Sequence, residues 1–258
     1  MSATARPECV VRLRDRWRRR GGCAKPSAVS LSDHERVQAA LQALPVFPLP
    51  ATVLLPHALL PLHVFEPRYR AMVADALHGG RVIAVAVLLP GWEAGYAGAP
   101  PVHPVVGVGV VAREERLPDG RYNILLRGAG RARIAEELPL AAGGYRRVRA
   151  EFLRDTMTDP ARLEGKLSTL RQSVLALAAS AAQRPQVASA LSELAAAAKD
   201  PAAAADLVAG SLVSDPALLS RLLSELDVGA RLDLVSRAVA EAIFASTTAS
   251  GPPAGLKN

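Results

Sequence analysis

The sequence predicts an α+β protein in two successive parts: a small closed or partly closed β-barrel over residues 44–155, then an all-α helical bundle over 156–246. Three observations carry this. Apolar residues follow the period of a strand through most of the first stretch, and the period becomes about 3.6 after Asp159. Pro48, Pro50, Pro56 and Pro61 interrupt the first two strands, which restricts them to edge or bulged pairing and bends them as the strands of small barrels are bent. Finally, Asp159-Pro160, Asp200-Pro201 and Asp215-Pro216 each set a capping carboxylate before a proline suited to a first helical position.

Residues 31–43, LSDHERVQAALQA, spell a short helix with Ser32 or Asp33 as N-cap and Val37, Ala40 and Leu41 on one side. Two strands follow, Pro45 to Leu49 and a second through Leu59, Leu60, Leu62, Val64 and Phe65. Pro67 opens the next helix, since its missing N–H has no intrahelical acceptor there, and Gly79-Gly80 closes it with one glycine at positive φ. Its Tyr69, Met72, Val73, Ala76 and Leu77 make one buried face. Arg81 to Leu89 is a continuous apolar run and predicts a strand buried on both faces. After the loop 91–104, Val105 to Ala112 is a strand whose Gly107 and Gly109 permit a bend or a close backbone approach. Leu117-Pro118-Asp119-Gly120 is a hairpin turn, Arg121 to Arg127 a strand, Gly128-Ala129-Gly130 a second turn, and Arg131 to Glu136 another strand. Tyr145 to Arg154 alternates Val148, Ala150 and Phe152 against Arg147, Arg149 and Glu151 as a half-exposed strand, the seventh. Helices are expected from Pro160 with a stripe of Leu163, Leu167, Leu170, Val174 and Leu177, then over 186–198, 201–212, 216–226 and 228–244. Residues 247–258 read as a disordered tail.

The formal charge of +7 and the isoelectric point near 10 suggest nucleic acid. Most of that charge sits in residues 1–30, where eight Arg and Lys face Glu8 and Asp15; residues 1–43 are grouped as a basic, largely disordered extension. Nucleic acid is therefore not expected as a partner except through this tail. No apolar run reaches the roughly 18 residues of a membrane span, so no membrane association is expected. Cys9 and Cys23 stand in the tail without a CxxC pair or histidine cluster to make a metal site, and with no cysteine in the rest of the chain a disulfide framework is excluded. With no secretory signal, this favours the cytoplasm.

Chemistry is sparse. Gly107 and Gly109 do not belong to a G-x-G-x-x-G turn, and no G-x-S-x-G or H-E-x-x-H motif occurs. His34, His57, His63, His78 and His103 show no metal-ligand spacing, so no catalytic, cofactor or metal residues are assigned. His78 suits a helix C-terminus, and Glu66 supports a helix N-terminus with Arg68 and Arg70 solvated or ion-paired. Trp92, Tyr96, Pro100, Pro101 and His103 in the loop 91–104 are the candidate peptide-binding residues. In a chain only 4% aromatic they read as an aromatic and proline lip for an extended peptide, or else Trp92 and Tyr96 pin the loop to the barrel.

LPVFPL at 44–49, LLPLHVFEPRYRAMV at 59–73, VVGVGVVAREERLPDGRYNILLRGAGRARI at 105–134 and ADLVAGSLVSDPALLSRLLSELDVGARLDLVSRAVAE at 205–241 together resemble the N-terminal substrate-binding domain of the Lon family of ATP-dependent proteases. The FEPRY turn and the loop GWEAGYAGAPPVHPV resemble the stand-alone bacterial members, which lack the ATPase and peptidase domains. The resemblance implies a PUA-like twisted β-barrel followed by the bundle. It marks Phe65, Glu66, Pro67, Arg68, Tyr69, Gly107, Gly120, Gly128 and Gly130 as signature positions. It implies no enzyme activity, since neither a G-x-x-x-x-G-K-[ST] loop nor a domain for a Ser-Lys dyad is present. It implies a module that binds unfolded or apolar polypeptide clients as adaptor or regulator of proteolysis, with a protease as a further partner. The site would be the loop 91–104 or the cleft between barrel and bundle. Two alternatives stand beside it: an RNA-binding PUA-like barrel using the arginines of residues 113–149, and a scaffold that forms a homo-oligomer.

Overall fold

The computed structural model describes residues 31–95 and 98–248. The chain divides into two compact units, one running to Arg154 and including Leu219–Ser224, the other comprising Asp155–Leu218 and the stretch from Glu225. The basic extension 1–30, Tyr96 and the end from residue 249 lie outside the described residues.

The first unit holds α1 (Leu31–Ala40), β1 (Leu44–Leu49), β2 (Leu59–Val64), α2 (Pro67–His78), β3 (Val82–Val87), β4 (Val105–Arg116), β5 (Tyr122–Leu138) and β6 (Arg146–Leu153). The strands order as β2-β5-β4-β3-β1-β6, and β6 also pairs with β5. Five strands thus pair in a ring, with β2 added beside β5. Only β1 and β3 are parallel. The length of β5 makes this possible: Tyr122–Arg127 pairs with β2, and Arg131–Leu138 pairs with β6.

Two expectations are corrected here. Gly128-Ala129-Gly130 is not a turn, because β5 runs straight through it, leaving six strands among the described residues rather than seven. A Cβ on Gly128 would lie 2.0 Å from the Leu55 carbonyl oxygen, and one on Gly130 would lie 2.5 Å from the Phe152 ring. These glycines mark close approach with a bulge, not reversal. The prolines do not confine β1 to an edge either. Residues Leu44–Val46 face β6 and Val46–Leu49 face β3. Neither Pro45 nor Pro48 therefore stands between two partners, and a missing donor costs no ladder bond on the vacant side.

β3 is buried along its whole length, as its sequence predicts. Its residues feed two cores. Val82, Ala84 and Ala86 join Leu44, Val46, Val106, Val108, Val110, Ala129, Ala132, Val148 and Ala150, a set drawn from all five ring strands. Valine and alanine dominate because the bore of a small ring admits little more. Ile83 and Val85 join the other core with Phe47, Leu62, Ile124, Leu126 and the buried face of α2, where Tyr69, Met72, Val73 and Ala76 are covered as expected and Leu77 only partly. Complete burial of Met72 and Val73 is worth ~1.5–3 kcal/mol each. At the end of α2 the left-handed residue is Arg81 at φ 63, not a glycine. Its N–H donates to the Ala76 carbonyl at 2.8 Å, and its side chain is held by the Val111 carbonyl and Glu114. α1 buries Val37, and Leu41 just beyond its end is buried too, but Asp33 is no cap: it lies inside α1, 3% exposed, in ion pairs with Arg127 and Arg36.

The second unit contains α3 (Pro160–Ser180), α4 (Pro185–Ala197), α5 (Pro201–Leu212), the first turn of α6 (Pro216–Ser224) and α7 (Val228–Thr248). Asp200 and Asp215 accept from backbone N–H groups as caps. Asp159 does not; its carboxylate pairs with Arg162 at 3.1 Å. The α3 stripe is Leu163, Leu167, Leu170, Val174 and Ala178, the last replacing the expected Leu177. Arg231, fully buried, is gripped by both Asp155 oxygens at 2.6 and 2.7 Å and by the Glu225 carbonyl at 3.0 Å, with Asp206 at 3.7 Å. Burial opposes its charge, but the hydrogen bond to Asp155 and the neighbouring carboxylates outweigh it and raise its pKa. No helix among the described residues is long and apolar enough to cross a membrane.

Candidate functional site

The loop 91–104 begins after Pro90, three residues past the end of β3, with Gly91 taking φ 84. Trp92–Gly95 then forms one 3-10 turn with Trp92 half-buried. The return limb is fixed to the sheet. The Leu89 N–H donates to the Pro101 carbonyl and the His103 N–H to the Val87 carbonyl, both at 2.9 Å, while Leu88 and Val102 form an antiparallel bridge. The Ile134 N–H donates to the Pro104 carbonyl at 2.9 Å, and Arg146 Nη1 donates to the Pro100 carbonyl at 2.7 Å. Pro100 is buried, Pro101 exposed and His103 half-buried, so the five candidate residues do not share one exposure. Trp92, Pro101 and His103 are the described members that reach the surface, and Tyr96 lies outside the described residues.

Arg146, which the sequence offers only as one of the arginines of residues 113–149, is the residue that anchors the loop. It is 7% exposed, and it also pairs with Glu137. The available signal was parity. Arg146 shares the face of Val148, Ala150 and Phe152, so it points inward with them.

Of the positions the resemblance marks, Gly107, Gly128, Gly130, Pro67 and Tyr69 lie in the packed framework. Gly107 and Gly109 accept the backbone and side chain of Leu54, and Gly128 accepts Leu55, so the segment 54–58 lies directly on the sheet. The His57 N–H donates to the Gly128 carbonyl and the Gly128 N–H to the Ala58 carbonyl, both at 2.9 Å. Pro67 stands at the start of α2, as expected, and Tyr69 packs on Phe47 with ring centres 4.5 Å apart. Glu66 makes no side-chain cap; it accepts from Arg68 Nε at 3.1 Å. Phe65 is 47% exposed beside His63, whose Nδ1 is 2.8 Å from Asn123 Oδ1. Because that oxygen only accepts, His63 carries its proton on Nδ1. His78 donates Nδ1–H to the Ala74 carbonyl at 2.7 Å in the last turn of α2. Tyr145 donates to Asp75 at 2.8 Å, and its pKa is pushed up to about 12 by burial first, then by that hydrogen bond and the Asp75 charge. No cluster of three or more His, Cys, Asp or Glu able to hold a metal occurs among the described residues.

A family model described as the ATP-dependent protease La (LON) substrate-binding domain matches residues 43–241. The Lon protease of Trichlorobacter lovleyi is 30% identical over 175 residues, 66% of this chain and 20% of its own length. That of Desulfosudis oleivorans is 21% identical over 199 residues, 76% of this chain and 23% of its own. The chain thus spans about a fifth to a quarter of the length of these curated relatives. Among solved structures, the N-terminal domain of the Mycobacterium avium complex Lon protease aligns with TM-score 0.60 at 20% identity, covering 77% of this chain and 98% of that one. A Lon N-terminal domain protein from Xanthomonas campestris aligns with TM-score 0.52 at 23% identity, covering 74% and 95%. Both share the α+β fold.

Proposed function

The chain belongs to the ATP-dependent protease La (LON) substrate-binding domain family, and from that premise we propose that it is a non-enzymatic module that binds unfolded or apolar polypeptide segments, in the cytoplasm, as adaptor or regulator of a protease. The carrying observation is that the match takes in the sheet unit and most of the helices and so includes the loop 91–104. Support also comes from that loop's construction. Its return limb is pre-ordered on the sheet, so a bound segment pays little to organise Pro101 and His103, and Trp92 offers an aromatic anchor. The arginines that suggest RNA give that reading less support, since Arg121, Arg127, Arg146 and Arg149 are held by Asp119, Asp33, Glu137 and Glu136.

The test is titration of the full chain against a reduced, carboxymethylated unfolded protein that carries a fluorescent dye, read by the anisotropy of that dye. Saturable binding is expected, weakened about tenfold or more by Trp92→Ala. Absence of saturable binding would overturn the reading. Binding indifferent to Trp92 and Pro101 would move the site away from the loop.

A further inference from the structure

A cavity of about 310 Å³ opens beside α2, walled by Pro67, Ala71, Ala74 and Tyr122 and rimmed by Arg70, Arg116 and Gly120. Its two charged side chains are both cationic. Elsewhere in the same unit, Arg68, Arg81, Arg121 and Arg127 each hold a carboxylate, respectively Glu66, Glu114, Asp119 and Asp33. Neither Arg70 nor Arg116 makes an ion pair among the described residues, although the charge of Arg70 is close enough to help hold the Asp119 carboxyl below its usual range. Asp119, on the turn leading to Gly120, is taken by Arg121 through its Nε at 2.6 Å and its backbone N–H at 3.0 Å.

Both free guanidiniums are placed by neutral contacts instead. Arg70 lies over the turn in space that only glycine leaves open, since a Cβ on Gly120 would stand 2.2 Å from Arg70 Nη2. Arg116 faces the Tyr122 ring, its guanidinium carbon 5.9 Å from the ring centre. Two planar donors with no carboxylate in direct contact, set against small apolar side chains, match a planar anion that carries an apolar group on its neighbouring carbon.

We propose that this cavity binds a carboxylate borne next to an apolar group, with Arg70 and Arg116 on the carboxylate and Pro67, Ala71 and Ala74 against the apolar part. The ligand class rests on the polypeptide-binding reading above. Within a polypeptide the carboxylate has two sources, the α-carboxylate after an apolar last residue and the side chain of Glu or Asp beside an apolar residue. Either would make the cavity a second contact, distinct from the loop 91–104.

The experiment uses the full chain and four probes: a short labelled peptide ending in leucine with a free α-carboxylate, its C-terminal amide, an amide peptide with an internal Leu-Glu pair, and N-acetyl-leucine. The free-acid peptide is expected to bind roughly tenfold tighter than its amide, the scale of charge-assisted hydrogen bonds. Arg70→Gln and Arg116→Gln should each remove most of that preference, Arg70→Lys should keep part of it, and rising salt should weaken it. Thermal unfolding identical to the parent excludes misfolding, and Ala74→Leu, which fills the cavity while leaving both charges, should give the same loss. N-acetyl-leucine should shift the backbone amide resonances of Ala71 and Ala74. Recovery of the free-acid affinity by the Leu-Glu peptide assigns the side-chain source, and failure to recover it assigns the α-carboxylate. Equal binding of acid and amide by a protein that still captures unfolded polypeptide would overturn this inference and leave the client reading standing. Resonance shifts with N-acetyl-leucine, without capture of unfolded polypeptide, would do the reverse.

Discussion

Gly128→Ala is expected to destabilise the sheet unit severely, and for a reason different from the one usual for glycine. Gly128 is not among the glycines at positive φ, so its backbone tolerates alanine. The obstacle is what lies above it: the new Cβ would stand 2.0 Å from the Leu55 oxygen, 2.9 Å from the Leu55 carbonyl carbon and 3.1 Å from the Pro56 Cα. All three are backbone atoms, and no rotamer change relieves the overlap. The segment 54–58 must lift, which strains the two 2.9 Å hydrogen bonds that Gly128 shares with His57 and Ala58. Losing both costs ~1–3 kcal/mol, and the overpacking costs a similar ~1–3, so ~2–6 kcal/mol is expected in all. The assay is urea unfolding followed by Trp92 fluorescence in a Trp17→Phe background, with two glycines as controls. Gly91→Ala, at φ 84 in open space, should cost only the strain of ~1 kcal/mol. Gly165→Ala, in α3 with nothing within 4 Å, should stabilise the second unit by ~0.5–1 kcal/mol, seen by circular dichroism. A Gly128→Ala protein within ~0.5 kcal/mol of the parent would refute the close-approach account and return the position to an ordinary strand residue.

Arg146→Met should leave the Pro100 carbonyl without its side-chain donor, costing ~1–3 kcal/mol and speeding proteolysis within 91–104. Arg231→Met should cost ~3–5 kcal/mol in the second unit, by leaving the carboxylates of Asp155 and Asp206 in place without it, measured by thermal unfolding. Tyr145 has a folded pKa of about 12, above its ordinary 10.0, so its contribution is complete below pH 10 and lost as pH rises through 12; Tyr145→Phe should flatten that alkaline limb. Asp227 is held down to about 2, from 3.8, first by the Thr158 hydroxyl and then by the N–H groups of Ala230 and Thr158. Its contribution is present above pH 4 and lost as pH falls toward 2, and Asp227→Asn should flatten the acid limb.

Most of the secondary structure was legible because it depends on local pattern. The face Tyr69, Met72, Val73 and Ala76, the doubly buried β3 and the helix starts at Pro201 and Pro216 all follow from period and caps. What stayed hidden was set by distant residues. A G-A-G triplet has the composition of a turn, and only Leu55 and Phe152, brought over it by the fold, decide that it is a strand interior. Asp33 likewise has the credentials of a cap until Arg127, far along the chain, draws it into an ion pair. Asp159 has the same credentials, and Arg162 takes its carboxylate.

The loop 91–104 shows the same division inside one candidate site. Composition picked out its aromatic and proline content, but not which residues are committed elsewhere. Arg146, carried inward by the parity of β6, fixes Pro100, and the β3 edge fixes Pro101 and His103 through their backbones. A contact made by Pro101 or His103 is therefore made by a surface already ordered, whereas Trp92 opens a single 3-10 turn entered through Gly91 at φ 84. Binding at this lip should accordingly respond differently to the two parts. Substituting Pro101 would change how fast a bound segment leaves, through lost contact alone, while loosening the anchor with Arg146→Met would add an ordering cost to every ligand alike. Uniform weakening across peptides of different sequence on Arg146→Met, with Pro101→Ala selective among them, is the pattern this geometry requires.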